Sequence, residues 1–124
     1  MEANIVDKRM TWEQYAAAWK ATTREAKQAA LAASTAATVT YRDPLAMAEG
    51  HTALVDYMTA FHAQVPGGWF ATTYFLAHHD RSLAKWNMVD AGGTVIGTGV
   101  SYGEYDPRGQ LVAIAGFFDV PPAA

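Results

Sequence analysis

The strongest constraint on this chain is a change of hydrophobic period at Pro66-Gly67-Gly68. Before this break, large apolar residues recur at the three- and four-residue spacing of helices that bury one face. After it, short runs rich in β-branched and aromatic residues are separated by turn residues, a pattern typical of strands. We therefore expect helices in the first half of the chain and a β-sheet in the second.

Two helices are predicted at the start of the chain. Thr11 and Gln14 fit a capping box, so we expect the first helix to begin at Thr11. Its apolar face is aromatic at helical spacing and contains Trp12, Tyr15 and Trp19. Thr22 and Glu25 form a second box, which predicts an alanine-rich helix over REAKQAALAAS.

A strand and a third helix complete the first half. The segment TVTYRD is rich in β-branched residues and ends at Asp43-Pro44. The third helix is predicted from apolar residues that share one face and end at the Pro66-Gly67-Gly68 break. These residues are Leu54, Tyr57, Met58, Phe61 and Val65.

Four strands are predicted in the second half, joined by hairpin turns at HDRS, DAGG and DPRG. The strands are WFATTYFLAHH, SLAKWNMVDA, TVIGTGVSYGEY and QLVAIAGFF. Helices followed by an antiparallel meander predict an α+β fold with the helices on one face of a curved sheet. Gly97, Gly99 and Gly103 share one face of the third of these strands, which indicates either a bend or space left for another group.

Composition limits the function classes. With 124 residues, 51% hydrophobic, residues 1–124 are expected to form one globular domain. The net charge is −3 and the basic residues are scattered, so we expect no nucleic-acid partner. The chain has no cysteine and therefore no thiolate metal site. No signal peptide or membrane-length apolar run is present, so we expect a cytoplasmic protein that does not enter membranes.

Four segments in order, VTYRDP, EGHTALVDYM, HHDRSLAKW and YDPRGQLVAIAGFFD, carry a family resemblance. With these segments in this order, the chain resembles the nuclear-transport-factor-2-like superfamily, which includes SnoaL-like polyketide cyclases, ketosteroid isomerase and scytalone dehydratase. The resemblance implies a cone-shaped α+β barrel, with three helices packed on a strongly curved, mainly antiparallel sheet that encloses a pocket for small apolar ligands. It also implies a homodimer built by the outer faces of the sheet.

Asp43 is the preferred catalytic base. The resemblance places it where ketosteroid isomerase keeps its base, in a strand-ending Asp-Pro. A carboxylate that loses hydration at an apolar wall becomes a usable proton acceptor near neutral pH. The alternative is structural, because aspartate before proline is also a common cap of a turn or helix.

The acid partner is less well defined. The resemblance implies an oxyanion hole made of a tyrosine on the first helix and a protonated aspartate on a late strand. Tyr15 is a candidate for the tyrosine, but Ser101 stands where the aspartate would be. The complete apparatus for steroid isomerisation is therefore not expected, which leaves a related enolisation, cyclisation or dehydration.

His78 and His79 are further acid/base candidates, because the resemblance extends to scytalone dehydratase, which carries a catalytic histidine on a comparable strand. That enzyme also uses tyrosines, and Tyr41 is the candidate for such a tyrosine in this chain. Neighbouring strand residues face opposite sides, so at most one histidine is expected to reach the cavity. The alternative is a histidine bonded at a strand end. His78 and Asp80 have a spacing that suits a metal, but the signal is weak, and we expect no metal and no cofactor.

Alternation predicts the pocket lining. Trp86 and Met88 are expected to face inward, opposite in phase to Lys85 and Asn87. Together with the last strand and two helices, the predicted lining comprises Trp19, Tyr57, Met58, Phe61, Trp86, Met88, Ser101, Ile114 and Phe118. Such a wall favours a flat, apolar or polycyclic ligand. The alternative is a collapsed core built from the same residues.

These observations favour a cofactor-free general acid/base enzyme of the isomerase, cyclase or dehydratase (lyase) type. Its expected substrate is a small apolar molecule that contains a carbonyl group. The alternative function is a non-catalytic module of the same fold that binds a small ligand or forms a dimer.

Overall fold

The computed structural model describes the backbone of residues 2–120 and the side chains of residues 5–120. It contains three helices and six strands, which confirms the predicted α+β class. The helices are α1 (Glu2–Ala18), α2 (Arg24–Ser34) and α3 (Gly50–Gln64). The strands are β1 (Thr35–Arg42), β2 (Met47–Glu49), β3 (Trp69–His78), β4 (Arg81–Val89), β5 (Val95–Tyr105) and β6 (Leu111–Phe117). No helix in the described part of the chain is long and apolar enough to cross a membrane.

All six strands form one sheet in the order β2-β1-β6-β5-β4-β3. Strands β3 to β6 make the predicted antiparallel meander. Strand β1 joins it by pairing in parallel with β6, in a register that sets Tyr41 against Ile114 and Arg42 against Ala115. This pairing carries the end of β1, and therefore Asp43, into the middle of the sheet beside Gly116.

Two local predictions were wrong in detail, and one short strand was not predicted. Helix α1 begins at Glu2 and not at Thr11, because the preceding residues contain no glycine or proline to stop it. The N-cap of α2 is Thr23 and not Thr22, and the Thr23 hydroxyl accepts a hydrogen bond from the Ala26 amide. The short strand β2 was not predicted, since its three residues are too few to show a period.

The core lies between the three helices and the inner face of the sheet. Its fully buried side chains include Leu31, Val39, Leu54, Met58 and Leu111. Leu31 is the large apolar side chain by which the alanine-rich helix α2 packs into this core. This apolar layer holds the helices at a fixed distance from the sheet and leaves a cavity at one end.

Two of the three strand glycines make room for neighbouring side chains. A Cβ atom at Gly99 would collide with the Trp86 indole and would lie 2.8 Å from the Phe117 carbonyl oxygen. A Cβ atom at Gly103 would lie 2.8 Å from Leu111. The space beside Gly99 is thus filled by the Trp86 indole, and the space beside Gly103 is filled by the core residue Leu111.

Candidate active site

A cavity of about 390 Å³ lies between α1, α3 and the inner face of the sheet. Its wall is mostly apolar, nearly half of the lining residues are aromatic, and the polar side chains are few. The lining residues are Trp12, Tyr15, Ala16, Trp19, Tyr41, Asp43, Leu45, Tyr57, Ala60, Phe61, Gln64, Val65, Phe70, Thr72, Trp86, Met88, Ser101, Gly116 and Phe118. This size and composition are those of a small-molecule pocket and not of a fully packed core.

One oxygen of the Asp43 carboxylate holds the turn that follows β1. Its Oδ1 accepts hydrogen bonds from the amides of Leu45 at 2.8 Å and Ala46 at 3.0 Å. The Asp43 amide in turn donates to the Ala46 carbonyl oxygen at 3.0 Å. These contacts are the turn-capping role that Asp-Pro sequences favour.

The other carboxylate oxygen faces two tyrosines that line the pocket. Oδ2 of Asp43 accepts hydrogen bonds from the hydroxyls of Tyr41 at 2.6 Å and Tyr57 at 2.8 Å. Burial, followed by interactions that include these bonds to Asp43, raises the pKa of Tyr41 and of Tyr57 well above the usual tyrosine value, so both hydroxyls remain donors. The sequence left two alternatives for Asp43, a turn cap and a pocket carboxylate. Asp43 has both roles, because one oxygen caps the turn and the other bonds to the pocket tyrosines.

Tyr15 adds a third phenol to this end of the pocket. Its hydroxyl oxygen accepts a hydrogen bond from Nε1 of Trp19, one helical turn later on α1, at 2.9 Å. Burial raises the pKa of Tyr15 far above its usual value, with Asp43 and Tyr57 adding to the effect. Within residues 5–120 the Tyr15 hydroxyl donates to no protein acceptor, so its proton is available to a ligand.

Trp19 is the centre of the aromatic wall. Its ring centroid lies 5.9 Å from that of Tyr57, 5.6 Å from Phe61 and 5.3 Å from Phe70, with the planes close to perpendicular in all three pairs. The wall continues from Phe70 to Trp86 with centroids 5.0 Å apart. Edge-to-face packing of this kind holds each ring in a fixed orientation, so the wall is preformed.

Ser101 lies on the sheet side of the pocket. Its Oγ accepts a hydrogen bond from Nε1 of Trp86 at 3.0 Å, which fixes the indole against the strand. A Cβ atom at Gly116 would lie 3.5 Å from the Asp43 Cβ and 3.8 Å from the Ser101 Oγ. Ser101, Gly116 and Asp43 are therefore close neighbours, and Ser101 is the residue at the position where the resemblance implies a protonated aspartate.

His78 and His79 lie outside the pocket. Both are exposed at the β3–β4 hairpin, where their Nδ1 atoms are 3.2 Å apart. We expected at most one of them to reach the cavity, and neither does, because the strand ends at His78 and His79 enters the turn with φ of 50°. Asp80 instead forms an ion pair with Arg81 at 3.2 Å. No group of three or more histidine, cysteine, aspartate or glutamate residues in the described ranges is arranged to hold a metal.

Met58 and Ile114 belong to the core and not to the pocket wall. Both are almost completely buried. Met58 is one turn after Leu54 on the side of α3 that faces the interior, whereas Tyr57 and Phe61 follow the side that faces the cavity. Ile114 is on the inner face of β6, two residues before the pocket residue Gly116. At Ile114 the helices cover the sheet, so its side chain belongs to the core.

Several lining residues were not singled out from the sequence. Phe70 and Thr72 pair with Met88 and Trp86 across the β3–β4 ladder, so extending the alternation to β3 finds them. Gln64 is three residues after Phe61, and helical spacing finds it in the same way. Leu45 lies in a loop without period, and only the structure places it at the pocket.

No protein-family model matches the chain, and no curated protein matches it in sequence. Solved structures do match. A SnoaL-like family protein from Agrobacterium tumefaciens is 21% identical with a TM-score of 0.85, over 93% of this chain and 99% of that one. A ketosteroid isomerase-like protein from Catenulispora acidiphila, in complex with trimethylamine, is 15% identical with a TM-score of 0.72, over 89% and 85%.

A third match is TerC, co-crystallised with polyporic acid. It is 14% identical with a TM-score of 0.73, over 91% of this chain and 92% of that one. At these identities the similarity establishes the fold. The predicted resemblance is confirmed at that level, since the matches also include an NTF2-like protein from Exiguobacterium with a TM-score of 0.70, and the chain has the nuclear-transport-factor-2-like fold.

Proposed function

We propose that this protein is a cofactor-free acid/base enzyme of the isomerase, cyclase or dehydratase type. Its substrate is a small, mainly apolar molecule with a carbonyl group. The observation that carries the proposal is that Oδ2 of Asp43 accepts two tyrosine hydroxyls in an aromatic pocket that a third tyrosine, Tyr15, also lines. A carboxylate and a phenol donor in one apolar site are the groups needed to remove a proton next to a carbonyl and to stabilise the enolate.

The reaction begins when Oδ2 of Asp43 takes a proton from the carbon next to the substrate carbonyl. The Tyr57 hydroxyl leaves Oδ2 to make room, since its α3 side chain is only half-buried. The Tyr15 hydroxyl, which donates to no described protein group, donates to the carbonyl oxygen as negative charge develops there. Return of the proton to a different carbon completes an isomerisation, whereas loss of a leaving group or attack on a second carbonyl gives dehydration or cyclisation.

Exchange of substrate protons for deuterium tests this proposal without knowledge of the natural substrate. A panel of small aromatic ketones is incubated with the protein in D2O, and loss of the α-proton signal is followed by NMR. We expect exchange above the buffer rate for at least one ketone, and a loss of roughly 100-fold in Tyr15→Phe. Tyr105→Phe is the matched control, because the buried Tyr105 hydroxyl bonds to Ser82 and lies outside the pocket.

Exchange at the buffer rate for the whole panel would contradict the enzyme proposal. An equal loss of exchange in Tyr15→Phe and Tyr105→Phe would remove Tyr15 from the mechanism.

A second function, binding of a small ligand without catalysis, is supported by the saturation of the Asp43 carboxylate. Two amides and two hydroxyls already donate to its two oxygens. Two proteins of the same fold have been crystallised with trimethylamine and with polyporic acid. Tight binding of a small molecule together with exchange at the buffer rate would favour this function.

We further propose that the outer face of the sheet packs against a second copy of the chain. The helices cover only the inner face, and large apolar side chains are exposed on the outer one. Phe117 is 61% exposed and pairs with Val100, and Tyr74 and Leu76 extend the apolar surface along β3. Burial of this surface by a twofold copy would remove an exposed apolar patch from water.

A further inference from the structure

We propose that the ligand of the pocket carries a positively charged amine, and that the pocket discriminates against carboxylates and phosphates. This inference rests on the proposed function only in taking the pocket as a ligand site. It concerns the charge of the ligand, which neither the fold nor the reaction type determines.

The first observation is the uncompensated charge of the pocket. Asp43 is the only acidic side chain among the described residues that line the pocket, and none of these residues is lysine, arginine or histidine. The ion pairs within residues 5–120 lie elsewhere and join Arg24 to Asp56 and Arg81 to Asp80 and Glu104. Arg42, next to Asp43 in the chain, is exposed and points to the opposite face of the sheet.

A single carboxylate in an apolar cavity attracts a cation over several ångströms, because the surrounding medium screens charge poorly. The amine therefore need not displace either tyrosine from Oδ2 of Asp43. An anionic ligand would meet only neutral donors in this pocket and would be repelled by the same carboxylate.

The second observation is the arrangement of the aromatic rings. Trp19 stands nearly perpendicular to Tyr57 and Phe70, at 84° and 81°, and Phe70 stands nearly perpendicular to Trp86, at 83°. An alkylammonium group binds to the negative face of an aromatic ring, and all four of these rings belong to the pocket lining.

Five lysine and arginine side chains of residues 5–120 contact aromatic rings outside the pocket. The five cation–aromatic contacts found among the described side chains involve the rings of Tyr105, Phe75, Trp69, Tyr102 and Tyr74. None of these five rings lines the pocket. Within residues 5–120, neither the aromatic wall nor the charge of Asp43 is therefore compensated by a cation of the protein.

Calorimetric titration with three compounds of similar shape tests the inference. The probes are phenyltrimethylammonium, its neutral analogue tert-butylbenzene, and the anion benzenesulfonate. We expect the cation to bind at least about tenfold more tightly than tert-butylbenzene, and benzenesulfonate to bind most weakly. Equal or tighter binding of tert-butylbenzene or benzenesulfonate, or no binding of the cation, would overturn the inference.

Two charge-neutralising variants locate the effect. Asp43→Asn is expected to weaken binding of phenyltrimethylammonium about tenfold and to leave tert-butylbenzene unchanged. Glu13→Gln makes the same change of net charge at an exposed position of α1 and is expected to change neither. Equal weakening in both variants would show a general charge effect and would overturn the assignment to the pocket.

The inference and the proposed function fail separately. Preference for the cation without ketone exchange would refute the enzyme proposal alone. Ketone exchange without preference for the cation would refute the amine inference alone.

Discussion

The hydroxyl of Tyr57 donates a 2.8 Å hydrogen bond to Oδ2 of Asp43, which links helix α3 to the end of strand β1. Tyr41 donates to the same oxygen from within β1. The other carboxylate oxygen is bound to the backbone of the next turn. Asp43 is therefore held in one orientation by groups on three sides, which is the fixed placement that a catalytic or ligand-binding carboxylate requires.

Removal of the Tyr57 hydroxyl tests the contribution of this bond to stability. Tyr57→Phe is expected to lower the free energy of unfolding by about 1 kcal/mol, because a hydrogen bond to a carboxylate is lost. Tyr74→Phe is the control, since Tyr74 is exposed on the outer face of the sheet. Urea unfolding measures both, and an unchanged Tyr57→Phe value would show that the bond does not stabilise the fold.

Stability is expected to fall at alkaline pH. Burial raises the pKa of Tyr105 to about 12, from the usual tyrosine value of about 10. The unfolded tyrosine therefore loses its proton first, so the stabilisation is complete below about pH 10 and is lost as the pH rises to about 12. Tyr15, Tyr41 and Tyr57, whose pKa values are also raised by burial, act in the same direction.

Unfolding free energies measured between about pH 9 and about pH 12 check this expectation. Across this pH range, the free energy of unfolding of Tyr105→Phe should fall by about 1–3 kcal/mol less than that of the original protein. A parallel decline in both proteins would mean that Tyr105 does not contribute to the alkaline transition.

A matched pair of glycine substitutions tests the packing of β5 against the pocket wall. Gly99→Ala is expected to lower stability by about 1–3 kcal/mol, because the new methyl group meets the Trp86 indole and the Phe117 carbonyl oxygen. Gly97→Ala should have little effect, since its nearest neighbour is the Met88 Cβ at 3.8 Å. Thermal unfolding of both variants decides the matter, and equal losses would indicate a general intolerance of β5 to alanine.

The proposed dimer depends on the apolar outer face of the sheet. Phe117→Glu should convert the dimer into a monomer in size-exclusion chromatography with light scattering, because a charge would be buried at the centre of the contact. Met10→Glu, an equally exposed apolar position on α1, should leave the dimer intact. A monomeric original protein, or a dimer that survives Phe117→Glu, would contradict this interface.

Regular periods made much of the fold predictable. The alternation along β4 was enough to expect Trp86 and Met88 on one face, where the structure places them at the pocket. The same reasoning could not place His78 and His79, because alternation gives the face of a strand but not how far the pocket extends along it. The pocket ends before the hairpin, and His79 belongs to the turn.

The site itself required the tertiary structure. The pattern VTYRDP allowed either a turn cap or a pocket carboxylate at Asp43, and local sequence does not assign two oxygens to different partners. The partner that decides the second role, Tyr57, is 14 residues away and reaches Asp43 only because α3 packs across β1. Ser101 and Gly116 likewise meet Asp43 through the parallel pairing of β1 with β6, which no local pattern specifies.

Asp43→Asn tests the central claim most directly, when its effect on ketone exchange is measured together with its effect on stability. The asparagine oxygen can still accept the Leu45 and Ala46 amides, while the second position loses its basic oxygen. We predict a loss of at least about 100-fold in exchange rate and a loss of only about 1–2 kcal/mol in the free energy of unfolding, since the Tyr41 and Tyr57 hydroxyls no longer donate to a carboxylate. Unchanged exchange, or a loss explained by an equally large loss of stability, would contradict the role of Asp43 as the base of this pocket.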